Sequence, residues 1–304
     1  MINIQAIYDK LFVMFSKIFI VHDVYGHPIY HSTRQLRRDI LTYYKKNPTT
    51  DSYLIDSIKF IRKHCISVAF PHAFRINYKF KDIDIQYDED GTPYYITDEH
   101  KKLFLHADEK INSQKLVNSL LIEQDVQSPH RYLSDSFNVG PEDVLVDVGS
   151  AEGILSLQLV DKVKHVYLFE CEDKWISALN KTFAPWKDKV TIVEKYVSNV
   201  DGDKTIRLDT FFKTQSLLPT FIKLDVEGAE EQVLEGMGEL WNSNSLRIAC
   251  CTYHRQNQYE QVKEIFENHH AQIEVVPGYM APCMNKLEPP YFRHALIRAT
   301  VTSR

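Results

Sequence analysis

The chain has 304 residues, of which 44% are hydrophobic and 25% are charged, a composition typical of a globular protein with about two domains. Its 36 Lys and Arg residues and 41 Asp and Glu residues give a net charge of −5, which argues against a dedicated nucleic-acid-binding protein because such proteins usually carry a basic excess. The five cysteines contain no C-x-x-C pair, so neither a disulfide framework nor a cysteine-rich zinc site is indicated and a reducing, cytoplasmic compartment is expected.

The first clear pattern lies near the amino terminus, where apolar residues recur at helical spacing from Ile4 to Ile18. This spacing predicts an amphipathic helix that packs on its own protein. The apolar stretch at residues 11–21 contains Lys17 and is shorter than the roughly 20 residues that span a bilayer. No transmembrane segment is therefore expected.

Residues 1–126 are predicted to form a smaller α+β region without a catalytic motif, which would select the acceptor or mediate oligomerisation. Helical spacing at residues 36–44, 54–61 and 111–123 predicts three further helices. Between them, extended patterns at residues 78–87 and 94–96 flank the turn-forming pair Asp90-Gly91 and predict a β-hairpin. The polar residues 124–130 are the predicted linker to the second region.

Residues 127–304 alternate short apolar runs with helical patterns, which predicts an α/β fold with a doubly wound, Rossmann-like sheet. Seven strands are predicted at residues 144–148, 166–169, 190–193, 221–224, 248–251, 273–276 and 295–299. Helices are predicted at residues 154–160, 175–183, 229–240 and 259–266. In such sheets the ligand binds beyond the carboxyl ends of the strands, so functional residues are expected directly after each apolar run.

The first predicted strand of this region ends in Asp147-Val-Gly149-Ser150-Ala-Glu-Gly153 and continues into a helix. Glycine permits a tight turn and lets a ligand approach the backbone. The third glycine of the dinucleotide pattern is absent, so a nucleoside without a pyrophosphate fits better and an NAD-dependent oxidoreductase is disfavoured. Asp147, Gly149, Ser150 and Gly153 are the candidate cofactor-binding residues, with an ordinary strand-to-helix turn as the alternative.

Two further strand ends carry carboxylates. Glu170 lies 21 residues after Gly149 and is placed to accept two hydrogen bonds from a ribose diol, with Glu172 as a neighbour able to substitute. Asp225 ends the predicted central strand and is expected to face the ligand crevice. Glu227 and Glu230 follow it, and attraction to the amino end of the next helix would explain both.

Together these segments resemble the FkbM-type S-adenosylmethionine-dependent methyltransferases over about residues 143–299. The resemblance rests on Asp147-x-Gly149-x-x-x-Gly153, Glu170, Asp209-Thr-Phe-Phe, Ile222-Lys-Leu-Asp-Val-Glu-Gly-Ala-Glu230 and Val233-Leu-x-Gly236. It implies a class I methyltransferase fold whose last strand is antiparallel. It also implies methylation of a hydroxyl on a sugar, polyketide or similar molecule, in a bacterial enzyme of polysaccharide or secondary-metabolite assembly.

Methyl transfer from a sulfonium to a hydroxyl is an in-line displacement that needs close positioning and a base or a cation. His254 is the predicted base, with a structural histidine as the alternative. Asp225 is predicted to act as base, as hydroxyl acceptor or as a ligand of Mg²⁺. No divalent cation is required; if one binds, Asp225, Glu227 and His254 are the expected ligands.

The remaining predicted contacts concern the adenine and the acceptor. Tyr196 follows the third strand and is placed to stack on adenine. His130, Arg131 and Tyr132 are predicted to close over the acceptor, together with Glu227, and an arginine would suit a phosphate or carboxylate there. Packing between the two regions is the alternative for the His130–Tyr132 segment.

The expected partner is a small-molecule or glycan acceptor rather than a nucleic acid. Three alternatives stay open: methylation of nitrogen, methylation of a protein, and a catalytically silent module that binds the donor. The sequence also leaves a homo-oligomer open.

Overall fold

The structure, a computed structural model, describes residues 33–64, 69–106, 110–243, 245–282 and 287–302. The helix predicted between Ile4 and Ile18 lies outside these residues. The described chain begins with helices α1 (Thr33–Lys46) and α2 (Ser52–Lys63), as the apolar spacing predicted. The Asp51 side chain accepts a hydrogen bond from the Leu54 amide and caps α2.

The α1–α2 pair packs against the carboxyl-terminal part of the chain. Leu36 and Ile40 on α1 are fully buried in a cluster that also contains Ala281, Leu287 and Phe292. These helices are therefore covered by residues more than two hundred positions away.

A three-stranded antiparallel sheet follows, made of β1 (Ile85–Tyr87), β2 (Pro93–Ile96) and β3 (Lys102–Phe104). The predicted hairpin is confirmed, while β3 was not predicted because its three residues are too short to show a period. The extended pattern predicted from residue 78 to 80 is wrong. This stretch lies between short 3-10 turns at Ala73–Asn77 and Phe80–Asp82, where backbone amides bond to carbonyls three residues earlier.

Helix α3 (Lys110–Glu123) leads into the main sheet, which has seven strands in the order β11-β12-β10-β9-β4-β5-β6. These strands are β4 (Val144–Val148), β5 (His165–Glu170), β6 (Val190–Glu194), β9 (Phe221–Leu224), β10 (Leu246–Cys251), β11 (Gln272–Val275) and β12 (Leu296–Val301). Strands β4, β5, β6, β9 and β10 are parallel, and β12 is antiparallel to both of its neighbours. The predicted Rossmann-like class I methyltransferase fold is thus confirmed.

Short helices connect these strands and cover the sheet. They are α4 (Ile154–Leu159), α5 (Asp173–Thr182), α6 (Leu208–Phe212), α7 (Glu230–Glu235) and α8 (Gln258–Asn268). Strands β7 (Tyr196–Val197) and β8 (Thr205–Ile206) form a separate parallel pair. The helix predicted over residues 229–240 is divided into α7 and a short 3-10 helix at Gly238–Asn242. Between them, a Cβ at Gly236 would lie 2.2 Å from the Ser198 carbonyl oxygen, so this glycine fits a close backbone contact.

One apolar core joins the two predicted regions. Leu103, Leu116 and Leu120 from the first region share a buried cluster with Leu145 and Leu155 of the second. The division after residue 126 stays a prediction, and the shared core means that α3 is held firmly against the main sheet. Among the described residues, no helix combines the length and apolar character needed to cross a membrane.

Candidate active site

The carboxyl ends of β4, β5 and β9 meet at the centre of the main sheet, where the strand order reverses. Gly149 follows β4 with a φ of 74°, and a Cβ built on it would lie 2.0 Å from the Asp225 carbonyl oxygen after β9. The backbones of the two strand ends therefore touch, and only glycine fits between them.

We expect Gly149→Ala to lower the free energy of unfolding by about 2–5 kcal/mol, because left-handed strain of roughly 1–2 kcal/mol adds to an overpacking cost of roughly 1–3 kcal/mol. Gly91→Ala is the matched control, since Gly91 has a φ of 84° but no atom within 4 Å of its built Cβ. In urea unfolding, Gly91→Ala should lose only the roughly 1–2 kcal/mol that left-handed strain costs. Equal losses in the two variants would contradict the close contact at Gly149.

The turn after β4 is held together mainly by its own hydrogen bonds. The amides of Gly149 and Ser150 both donate to the Phe169 carbonyl, and the Gly153 amide donates to the Ser150 carbonyl. The Ser150 hydroxyl donates to the Asp147 carbonyl at 2.8 Å. Ser150 and Gly153 therefore shape the turn, and their predicted contact with a cofactor stays a prediction.

Asp147 and Lys223 form a buried ion pair under this turn. Asp147 Oδ1 lies 3.0 Å from Lys223 Nζ, Asp147 Oδ2 accepts from Ser156 Oγ at 2.7 Å, and Lys223 Nζ donates to the Gly149 carbonyl at 2.5 Å. Burial disfavours the Lys223 cation, but the charges of Asp147 and Asp225 outweigh this and hold its pKa above the usual range. Asp147 thus holds the loop in place through Lys223 and Ser156.

Glu170 is a buried carboxylate fixed by three backbone amides. Its Oε2 accepts from Ala151 at 2.9 Å, and its Oε1 accepts from Cys171 at 2.7 Å and Glu172 at 3.0 Å. A carboxylate offers about four acceptor positions, so about one stays open. The predicted ribose contact of Glu170 is thus limited to about one further hydrogen bond and stays a prediction.

A cavity of about 210 Å³ opens beside these strand ends. It is lined by Val148, Gly149, Phe169, Glu170, Cys171, Glu172, Trp175, Lys195, Tyr196, Val197, Asp225, Val226, Glu227 and Ala229. Tyr196 is half-exposed on its wall, at 53% of its accessible surface. The predicted residues Gly149, Glu170, Tyr196, Asp225 and Glu227 are thus brought to one cavity.

Asp225 lies where this cavity meets a cluster of buried polar side chains. Its Oδ2 accepts a hydrogen bond from the Tyr132 hydroxyl at 2.8 Å, and its Oδ1 lies 3.2 Å from His254 Nε2. Burial disfavours the carboxylate, but contact with His254 and the charge of Lys223 outweigh this and hold the pKa of Asp225 well below its usual range. Asp225 is therefore an ionised acceptor.

His254 lies between two carboxylates. Its Nε2 faces Asp225, its Nδ1 lies 3.0 Å from Glu230 Oε1, and Glu227 Oε2 lies 3.8 Å from Nε2. Burial disfavours the charged ring, yet the contacts with Asp225 and Glu230 raise the pKa of His254 to about 10. Near neutral pH the ring is a cation without a free lone pair, which corrects its predicted role as general base.

The side chains of the His130–Tyr132 segment lie in two different places: His130 and Tyr132 face Asp225, and Arg131 does not. Burial lowers the pKa of His130 to about 4, so it is neutral, and its Nε2 lies 3.7 Å from Asp225 Oδ2 and 3.5 Å from Cys251 Sγ. Arg131 instead lines a separate cavity of about 920 Å³ beside α2, away from Asp225. Arg131 thus lies apart from His130 and Tyr132, and its predicted contact with the acceptor stays a prediction.

The expected metal ligands Asp225, Glu227 and His254 do not assemble as predicted. Among the described residues, Glu230 rather than Glu227 joins Asp225 and His254 in a group whose ligand atoms lie within 4.8 Å of one another. In that group the two carboxylates face opposite nitrogens of one imidazole ring. This arrangement is typical of ion pairs. Because the ring lies between the two carboxylates, they cannot both coordinate one metal ion.

Two further acidic residues with raised pKa values were not predicted as site residues from the sequence. Burial raises the pKa of Glu152 to about 7, and burial together with the charge of Asp225 raises the pKa of Glu123 well above its usual range. Glu152 lies within the Gly149–Gly153 turn, so its place in that motif could have indicated it. Glu123 comes from α3, and no motif marked it.

The comparisons with known proteins agree with this architecture. The Methyltransferase FkbM domain model matches residues 199–275, a stretch that contains Asp225, Glu230 and His254. This match, over about a quarter of the chain, confirms the predicted FkbM-type resemblance for these residues.

One curated relative is the ribosomal RNA small subunit methyltransferase A of Pediococcus pentosaceus, which is 28% identical over 101 residues. The alignment covers 29% of this chain and 34% of that protein, so the chain spans about a third of its relative's length.

Three solved methyltransferases are similar in structure. FkbM from Methylobacillus flagellatus has a TM-score of 0.44 and 16% identity over 64% of this chain and 56% of its own. Precorrin-6y C5,15-methyltransferase from Geobacter metallireducens has a TM-score of 0.39 and 12% identity over 55% of this chain and 83% of its own. A Streptococcus mutans structure in complex with S-adenosylhomocysteine has a TM-score of 0.35 and 12% identity over 53% of this chain and 90% of its own.

Proposed function

We propose that this methyltransferase transfers a methyl group from S-adenosylmethionine to a hydroxyl group of a sugar, glycan or other small molecule. The observation that carries the proposal is the ionised Asp225 carboxylate on the wall of the cavity that Gly149, Glu170 and Tyr196 also line. A hydroxyl group that receives a methyl group needs a hydrogen-bond acceptor of this kind next to the methyl donor.

The cavity has features that suit the donor's nucleoside. Gly149 puts backbone rather than a side chain on the cavity wall, Glu170 keeps about one acceptor position for a ribose hydroxyl, and Tyr196 offers an aromatic face. When bound, S-adenosylmethionine supplies an electrophilic methyl group. The missing third glycine supports a donor without a pyrophosphate.

Asp225 holds the acceptor hydroxyl by accepting its hydrogen bond. A hydroxyl oxygen gains positive charge as it is methylated, and the nearby carboxylate stabilises that charge. The protonated ether is a far stronger acid than a carboxylic acid, so Asp225 can accept the proton despite its low pKa and pass it to solvent. The cationic His254 cannot accept this proton, because both of its ring nitrogens already carry one.

The proposed donor site is tested by calorimetry with S-adenosylhomocysteine. We expect Glu170→Gln to weaken binding about tenfold to a hundredfold, because a hydrogen bond to a charged group is worth roughly 1.5–3 kcal/mol. Glu194→Gln is the control, since Glu194 is the exposed strand-end acid that pairs in register with Glu170. Absence of binding heat with folded wild-type protein would remove the donor proposal.

The acceptor class is tested separately with the wild-type chain and a labelled methyl donor. A pool of glycosides and other hydroxylated small molecules is compared with small-subunit ribosomal RNA and with a protein mixture. Label on a small-molecule oxygen supports the proposal. Label only on RNA, on protein or on nitrogen would overturn it.

A further inference from the structure

Glu230 is the most deeply buried carboxylate near the site, with no solvent-exposed surface. It begins α7, and a helix amino end stabilises a carboxylate by only about 0.3–1 kcal/mol at an exposed position. Removing a carboxylate from water costs several kcal/mol unless a partner compensates it. Its burial therefore calls for a partner other than the helix.

The contacts of Glu230 identify that partner as His254. Glu230 Oε1 accepts a hydrogen bond from the Val226 amide at 3.0 Å and lies 3.0 Å from His254 Nδ1. Glu230 Oε2 accepts from the Gln258 side chain, whose own carbonyl oxygen accepts from the His254 amide at 3.0 Å. The ring and the backbone of His254 are thus both tied to Glu230.

We infer that Glu230 is a positioning residue for methyl transfer, which fixes the orientation and the charge of His254 so that the charged ring holds the Asp225 carboxylate in place beside the donor cavity. This inference rests on the proposed function. The three side chains form a continuous row, because the His254 ring lies 3.2 Å from Asp225 on one side and 3.0 Å from Glu230 on the other. Glu230 itself does not line the cavity.

Several charged or titratable groups act on the His254 ring. They are Asp225 and Glu227 after β9, Glu230 on α7, His130 before β4, the adjacent Tyr253, and Arg293, which donates to the His254 carbonyl. Of these, only Asp225 and Glu230 lie within about 3 Å of a ring nitrogen. Loss of the Glu230 charge therefore leaves one close anion, and the ring should release its proton at lower pH.

The experiment combines an NMR titration of the His254 ring with steady-state kinetics over a range of pH. Glu230→Gln keeps the side-chain shape and an oxygen for the Val226 amide while removing the charge. We expect its His254 pKa to fall by one unit or more, and its activity at the alkaline end to fall about tenfold, with the donor KM within about twofold of wild type. Glu230→Asp should restore part of the His254 pKa and part of the alkaline activity.

Glu231→Gln is the matched control. Glu231 is the next residue of α7 and its carboxylate pairs with Arg255, not with His254. The Glu231→Gln variant should leave the His254 titration and the pH profile of activity unchanged. An equal shift in the two variants, or an alkaline limb that does not move in Glu230→Gln, would overturn the inference.

Two readouts keep this inference separate from the proposed function. If Glu230→Gln does not fold, the wild-type titration still decides, because a His254 ring that titrates near its ordinary pKa of about 6.5 would overturn the inference. Failure of the proposed function appears instead as a wild-type protein that releases no S-adenosylhomocysteine with any acceptor.

Discussion

Lys223→Met is expected to lower the free energy of unfolding by about 3–5 kcal/mol, because it leaves the buried Asp147 carboxylate without its cation. Asp147 is 1% exposed and Lys223 is 5% exposed, so neither charge can be solvated in place of the pair. The variant also removes the bond from Lys223 Nζ to the Gly149 carbonyl, which holds the turn after β4. Urea unfolding followed by circular dichroism measures the change.

The control is Lys164→Met, which breaks an ion pair with Glu142 whose side chains are both largely exposed. Such pairs contribute about 0–1 kcal/mol. The double variant Asp147→Asn/Lys223→Met should lose less than the sum of the two single variants, because no buried charge is left unpaired. Additive losses would show that the two charges do not depend on each other.

Much of the fold follows from strand burial. The parallel strands at the centre of the sheet are covered on both faces, so they appear in the sequence as mainly apolar runs such as residues 144–148 and 221–224, each with one charged residue. Their ends could be predicted closely for the same reason. The short strand β3 and the 3-10 turns near Phe74 offer no such run, and local contacts decide their conformation.

The individual site residues were easier to predict than their charge states. Asp225 and Glu170 could be proposed because each is an acid at the carboxyl end of an apolar strand, where ligands bind in such sheets. The cationic form of His254 could not be predicted, since it depends on Glu230, whose partner lies 24 positions along the chain and meets it only in the packed structure. Lys223 faces Asp147 through strand register, which sequence alone does not define.

Asp225→Asn is expected to lower kcat by about 10²–10⁴-fold, the range associated with loss of a positioned proton acceptor. Asparagine keeps the shape and can still accept a hydrogen bond, but it carries no charge and does not take a proton. Affinity for S-adenosylhomocysteine should change much less, because that ligand carries no methyl group and leaves the acceptor side of Asp225 untouched. Turnover and calorimetry on the same preparation separate the two effects.

Asp143→Asn is the control for this substitution. Asp143 is a partly buried acid at the opposite end of β4, where it pairs with Arg247 and accepts from Thr220, so its loss should affect stability rather than turnover per folded molecule. If Asp225→Asn kept turnover within about tenfold of wild type, another group would have to receive the proton.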